Sequence, residues 1–372
     1  MSEFTGVPDC TLVTANFFFN NATRSVEQCL ENMKVLLEVP CYLIIYCNEP
    51  LFNIIQNYRN SKGLGPLTRY HVTTIEQCKT YEYAEKIKKN REAYWPTRDA
   101  RAGLESHLVT SNKVHFVMNT MDEDPFKTTY FGWVDANLGP GGSKVSTKYN
   151  PTQFLHTLSN LQDKFCLHVL NVQDKRFKLD ENKREFYQQY RWVVGGCLYT
   201  LPKRLRHILE AVYKSFERCT ELGYGHAEEM FYLEILDEFY DDIHRSYGDY
   251  RHILHNFIRP TEGISYIYDY ILCRYLGFEY WREAYDCASE VVKSYETFQM
   301  DMDYFMYFRF LFAQFKAASH YKKEEAVKLI VKMERLRKNP YFDQFFRNHQ
   351  GEVRAAFSAF LTNSSKLTSG GI

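Results

Sequence analysis

Two rhythms of apolar positions divide this chain. Residues 10–19 (CTLVTANFFF) and 41–47 (CYLIIYC) are near-continuous runs rich in β-branched and aromatic side chains, the pattern of strands covered on both faces. Between them Val26, Cys29, Leu30, Met33 and Leu37 recur at helical spacing behind Ser25, which can cap the helix, and Pro40 stops it. A helix over 51–58, a Gly-Pro turn and a short strand over 70–74 continue the alternation. Strand, helix, strand, helix, strand predicts βαβ units with right-handed crossovers. Residues 76–100 are polar, aromatic and charged and suit a lid or an inserted helix, whereas 104–118 reads as one helix leading to the strand of Trp133. Another strand is expected over 165–170, and 190–200 (YRWVVGGCLYT) reads as strand, Gly-Gly, strand. Gly inside an extended run marks a place where a ligand or another backbone comes close.

Beyond Pro202 the rhythm turns helical, with helices over 205–222 and 227–239 and then successive antiparallel helices near 264–276, 279–296, 301–318 and 322–337. The spacing of Tyr285, Ala288 and Val292, and of Ala326, Ile330 and Met333, loosely matches helix-pair repeats of the tetratricopeptide kind, with room for at most two. Residues 363–372 are Ser-, Gly- and Thr-rich, which predicts a disordered tail. The expected organisation is an α/β domain over 1–260, a helical region over 261–362 and that tail.

Composition narrows the picture. The 372 residues are 45% hydrophobic and 16% aromatic, ample for a large core. Lys plus Arg equal Asp plus Glu at 46 each, so no general attraction to nucleic acid or anionic lipid is expected. The ten Cys residues are scattered without a C-x-x-C pair, as in a set of reduced, buried thiols, and no run is long and apolar enough for a membrane span. The first residues, MSEFT, lack the basic start and apolar middle of a secretion signal, so the expected location is cytoplasmic.

The densest chemistry lies in 124–137 (DPFKTTYFGWVDAN), a short apolar strand ending on Asp135 with a second oxygen-bearing side chain, Asn137, two positions on. Ligands of open α/β sheets bind beyond the carboxyl ends of the strands, so an acid held there predicts a small-molecule site, and a divalent cation is the evident reason for the acid. Residues 139–150 (GPGGSKVSTKYN) read as a surface loop rather than a phosphate cradle.

The order of these motifs resembles the HtrL/YibB-like group of glycosyltransferases. The pieces that carry the resemblance are TLVTANFFF, CYLIIYCN, the helix bearing Arg59, Ser111-Asn112-Lys113, DPFKTTYFGWVDANLG, Gly195-Gly196 and Gly248-Asp249-Tyr250, spread over about residues 10–258. The resemblance implies a GT-A-like (Rossmann-like) mixed, mostly parallel sheet flanked by helices, followed here by an all-α C-terminal region. It implies an enzyme that moves a sugar from a nucleotide-diphosphate donor to a glycan or lipid-linked acceptor with a divalent metal, Mn²⁺ or Mg²⁺. The chain departs from the pattern at Ala136-Asn137, where a glycine is common in the family and a GT-A enzyme would read D-x-D.

The expected roles follow from that chemistry. A cation offsets the charge of the departing diphosphate, with Asp135 and Asn137 as oxygen ligands and His255 or His252 supplying a nitrogen. Arg59 and Lys113, and more weakly Arg98 and Arg101, are diphosphate partners. Asn16, Trp133, Ala136, Gly195 and Gly196 line the donor site, and Trp192 beside the glycines is placed to stack on a ring. Glu229 or Glu228, expected at the start of a helix behind Gly223-Tyr224-Gly225, is the general base, with Asp249 as alternative. The rival readings are a non-catalytic GT-A-like binding or scaffold protein, favoured by Asn137 and the long helical tail, and a nucleotide-sugar hydrolase. The helical region offers a surface for a second copy or a protein partner.

Overall fold

The computed structural model describes residues 6–19, 24–93, 103–138, 151–248, 265–297, 300 and 302–368. The chain divides into two compact units, 1–258 and 259–372. In unit 1 the order is β1 (Cys10–Asn16), α1 (Val26–Leu37), β2 (Tyr42–Cys47), α2 (Glu49–Ser61), β3 (Thr68–Val72), α3 (Ala84–Ala93), α4 (Leu104–Ser111), α5 (Lys113–Glu123), β4 (Tyr130–Val134), α6 (Pro151–Leu158), β5 (Phe165–Val169), α7 (Lys183–Tyr190), β6 (Val194–Pro202), α8 (Arg206–Glu221), α9 (Ile235–Glu238) and β7 (Ile243–Tyr247). The strands form one sheet in the order β3-β2-β1-β4-β6-β5-β7. Only β6 runs against its neighbours. This is the expected mixed, mostly parallel sheet flanked by helices, and the carboxyl ends of every strand except β6 share one edge.

Strand periodicity splits the core. Leu43, Ile45 and Cys47 of β2 face the cluster built with α1, α2 and α6, while Ile44 and Tyr46 face the one built with α4, α5 and α8. Ser25 caps α1 through a capping box with Gln28. The tightest glycine lies in β4. A Cβ on Gly132 would stand 2.4 Å from the Tyr199 carbonyl oxygen of β6, so only glycine fits the close β4–β6 approach.

Several expected elements differ. The single helix expected over 104–118 is α4 and α5, broken at Asn112, whose side chain accepts from the Thr80 amide while the Thr80 hydroxyl donates to Leu108 O. Residues 190–193 belong to the end of α7 and a turn, since Phe186, Tyr187 and Tyr190 form a buried helical face, and Gly195-Gly196 lie within the one strand β6. The helix expected over 227–239 is a 3₁₀ segment, Glu228–Tyr232, followed by the one-turn α9.

Unit 2 comprises α10 (Ser265–Gly277), α11 (Trp281–Glu296), α12 (Tyr304–Tyr321), α13 (Lys323–Leu336), α14 (Pro340–Asn348) and α15 (Gln350–Thr368). Here α12 packs against the other five helices and is buried on nearly every side, so the unit is built around one core helix. Helix α15 continues to Thr368, into the stretch expected to be disordered; 369–372 lie outside the described residues.

Candidate functional site

At the carboxyl edge three charged side chains meet. Asp135 follows β4 directly, and its backbone N–H extends the ladder to Cys197 O of β6 at 2.8 Å. The indole N–H of Trp133 donates to Asp135 Oδ1 at 2.8 Å. Lys113, the first residue of α5, places its Nζ 3.0 Å from that same oxygen and 2.6 Å from Glu228 Oε1. Its third contact is Gly196 O at 3.0 Å. The register of β5 on β6 slips between Leu167 and His168, from Tyr199 to Gly195, so the β6 residues in between have no ladder partner in β5. That bulge frees the Gly196 carbonyl for the lysine.

Electrostatics lock the cluster in its charged form. Burial works against the Lys113 ammonium, but Asp135 and Glu228 outweigh it and hold its pKa well above the ordinary value. Burial pushes the Glu228 carboxyl up, and Lys113 overcomes that, leaving it below the usual range. Behind the cluster His107 is held neutral, its pKa pushed down to about 3 by burial first and by Arg91 second.

Two buried amide atoms at the same edge have no hydrogen-bond partner, Asn16 Nδ2 at the end of β1 and Asn137 Oδ1 beyond β4. One residue before Lys113, Asn112 helps line a cavity of about 480 Å³ beyond the carboxyl ends of β2 and β3, with Tyr46, Tyr81, His115, Phe116 and Asn119. Asn48 shapes this edge by pairing both the N–H and the carbonyl of Phe18, a role not visible in the sequence pattern.

The structure redistributes the expected site. Arg59 is not a diphosphate partner. It is 0% exposed and donates to Leu37 O, Val39 O, Cys41 O and Thr68 Oγ1 at 2.6–2.9 Å. These atoms end α1 and precede or begin β2 and β3, so it sits at the amino edge, roughly 17 Å of strand away from the site. Lys113 is at the site, but its three N–H groups are all engaged by protein acceptors, which leaves none for phosphate. Trp133 is 2% exposed, stacks on Phe116 and orients Asp135 rather than offering a ring face. Ala136 is buried in the core on the α1 side. Gly195 and Gly196 are buried in β6, and a Cβ at either would make only ordinary contacts of 3.5 Å or longer. Trp192 is 48% exposed, with the Arg191 guanidinium 4.9 Å from its ring. Glu228 and Glu229 are half-buried and begin the 3₁₀ segment rather than a helix. Asp249, His252, His255, Arg98, Arg101 and the loop 139–150 lie outside the described residues.

A divalent ion fits these groups poorly. Asp135 Oδ1 already accepts from an ammonium and an indole, and Glu228 Oε1 from the same ammonium. Asn137 Oδ1 is an unpaired oxygen but carries no charge. Among the described residues no group of three or more His, Cys, Asp and Glu is placed to hold a metal. No described helix is long and apolar enough to cross a membrane.

The HtrL_YibB family, described as a bacterial protein of unknown function, matches residues 9–221. Among solved structures, the apo form of mouse xyloside xylosyltransferase 1 is similar at 11% identity, covering 63% of this chain and 84% of that one with a TM-score of 0.35. No curated protein matches the chain.

Proposed function

Since the chain belongs to the HtrL_YibB family and carries an acid–lysine–acid cluster at the carboxyl edge of a GT-A-like sheet, we propose that it is a glycosyltransferase using a nucleotide-diphosphate sugar. The observation that carries this reading is the pairing of fixed charge with unsatisfied polarity. Asp135 and Glu228 are held rigidly where ligands of α/β sheets bind. Beside them Asn16 offers an unpaired donor and Asn137 an unpaired acceptor. A sugar hydroxyl is both donor and acceptor and satisfies such atoms, which are costly to leave unpaired. The cavity near Asn112, which sets Tyr46, Tyr81 and Phe116 among the charged Glu76, Lys79 and Glu82, is where this proposal puts the base of the donor.

In the transfer an acceptor hydroxyl oxygen bonds the anomeric carbon. The carbon–oxygen bond to phosphate breaks, and the nucleoside diphosphate leaves with the electron pair. The hydroxyl proton goes to a base. Glu228 is a poor choice because the Lys113 ammonium lowers its pKa and so weakens it as a proton acceptor. Its neighbour Glu229 takes that role in this proposal, and a glycan or lipid-linked glycan is the acceptor class. A nucleotide-sugar panel read by thermal shift and by transfer of labelled sugar tests it. Asp135→Ala is expected to remove donor-dependent stabilisation. Glu229→Gln is expected to keep that stabilisation and lose transfer by about 10²-fold or more. Stabilisation without turnover in the wild type would favour the scaffold reading, release of free sugar the hydrolase, and no response to any donor would end the proposal.

A further inference from the structure

We propose that Lys113 is the resident cation of this site: it holds Asp135 and Glu228 in the place a divalent ion would otherwise take, so that donor binding needs no metal. The glycosyltransferase reading is needed only to name the donor; the assignment of the cation stands on the geometry.

Three features converge. An ammonium has three N–H groups, and Lys113 spends them on Asp135 Oδ1, Glu228 Oε1 and Gly196 O, all within 3.0 Å. The residue is 1% exposed, so it acts through the carboxylates it orients and is a positioning residue rather than a contact of the substrate. Its location also runs against helix preference. Lys113 opens α5, where the helix dipole disfavours a cation, and the two carboxylates compensate. Finally, Asp135 Oδ1 also accepts from Trp133, so a metal would have to displace an ammonium and an indole to use that atom.

The test separates the cation from the donor. Calorimetry of the wild type with MnCl₂ alone is expected to show no binding up to about 1 mM, the weak end of protein–cation affinities. Lys113→Met keeps the bulk and removes the charge, leaving two carboxylates face to face. This variant is expected to gain a Mn²⁺-dependent rise in melting temperature that the wild type lacks, a gain that a purely structural lysine would not produce. A nucleoside diphosphate that binds the wild type should do so with Kd values within about twofold in chelator and in Mn²⁺. A tenfold or greater tightening by Mn²⁺ (about 1.4 kcal/mol) overturns the inference while leaving the transferase reading intact. Binding of no nucleoside diphosphate under either condition removes the transferase reading, and the Mn²⁺ titration of the wild type still decides the cation. If Lys113→Met fails to fold, the two wild-type measurements decide it.

Discussion

Arg59 shows how far a single side chain can lie from its apparent role. Its guanidinium gathers the last carbonyl of α1, two carbonyls of the following turn and the hydroxyl of Thr68, tying a helix end to the start of two strands. Positive charge at a helix C-terminus is favourable, and the carbonyls it meets have no other helical partner. Arg59→Met should therefore cost about 3 kcal/mol, since Leu37 O, Cys41 O and Thr68 Oγ1 lose this donor at once and Val39 O keeps only the Cys41 N–H. Arg59→Lys should recover little, because an ammonium lacks the planar fork. Urea denaturation measures both, and a loss below about 1 kcal/mol for Arg59→Met would show that these bonds are dispensable. In the sequence Arg59 and Lys113 looked alike, as basic residues on helices near strands. What separates them is a partner set distant in the chain. Lys113 meets Glu228 across 115 residues, and no local spacing encodes that. The place of Asp135 at the end of β4 was legible because an acid closing an apolar strand is a local pattern. The indole that orients it, two residues back, read as a ligand platform because its burial was not local information.

Elements show the same division. Strands β1, β2 and β4 and the long helices of unit 2 were readable from apolar period alone. Helix α7 (KREFYQQY) and strand β7 (IHRSY) were not, because α7 has few apolar positions and a charged or polar exposed face, and β7 is largely buried yet carries the polar His244, Arg245 and Ser246. The Gly-Gly pair was read as a break or a point of ligand approach, when it lies in a bulged stretch whose freed carbonyl meets Lys113. In unit 2 the contact between α10 and α11 carries a titratable group. Tyr268 OH donates to Glu290 Oε1 at 3.4 Å, and burial, with Asp286 adding to it, pushes the Glu290 pKa up to about 8. A carboxyl raised above its unfolded value of about 4.3 stabilises the fold below that pH, and the contribution is lost as pH rises through about 8. Glu290→Gln should thus leave stability at pH 5 nearly unchanged and raise it at pH 8.5 by about 1 kcal/mol, the full linkage value being reduced by partial exposure. Melting curves of the two full-length proteins across that range measure the difference. Parallel curves would remove Glu290 as the source.

At the scale of the whole molecule the question is whether the site needs the helical unit. Both apolar clusters that flank the sheet lie between residues 10 and 243, and the charged cluster ends at Glu228. Unit 2 surrounds its own core helix, α12, with α10, α11, α13, α14 and α15. Each unit is long enough to bury a sufficient core alone, since isolated domains of about 100 residues commonly fold. A chain ending at residue 258 should therefore unfold in one cooperative transition and keep the donor-dependent thermal shift of the full protein, within about twofold in Kd. The complementary chain from 259 should show a helical far-ultraviolet spectrum and its own melting transition. The two results bear on different claims. A cooperative 1–258 chain that no longer responds to donor would mean that the helical unit contributes to binding. A 1–258 chain that collapses without a transition would show instead that the sheet depends on the helices for stability, and the assignment of two self-sufficient cores would fall with it.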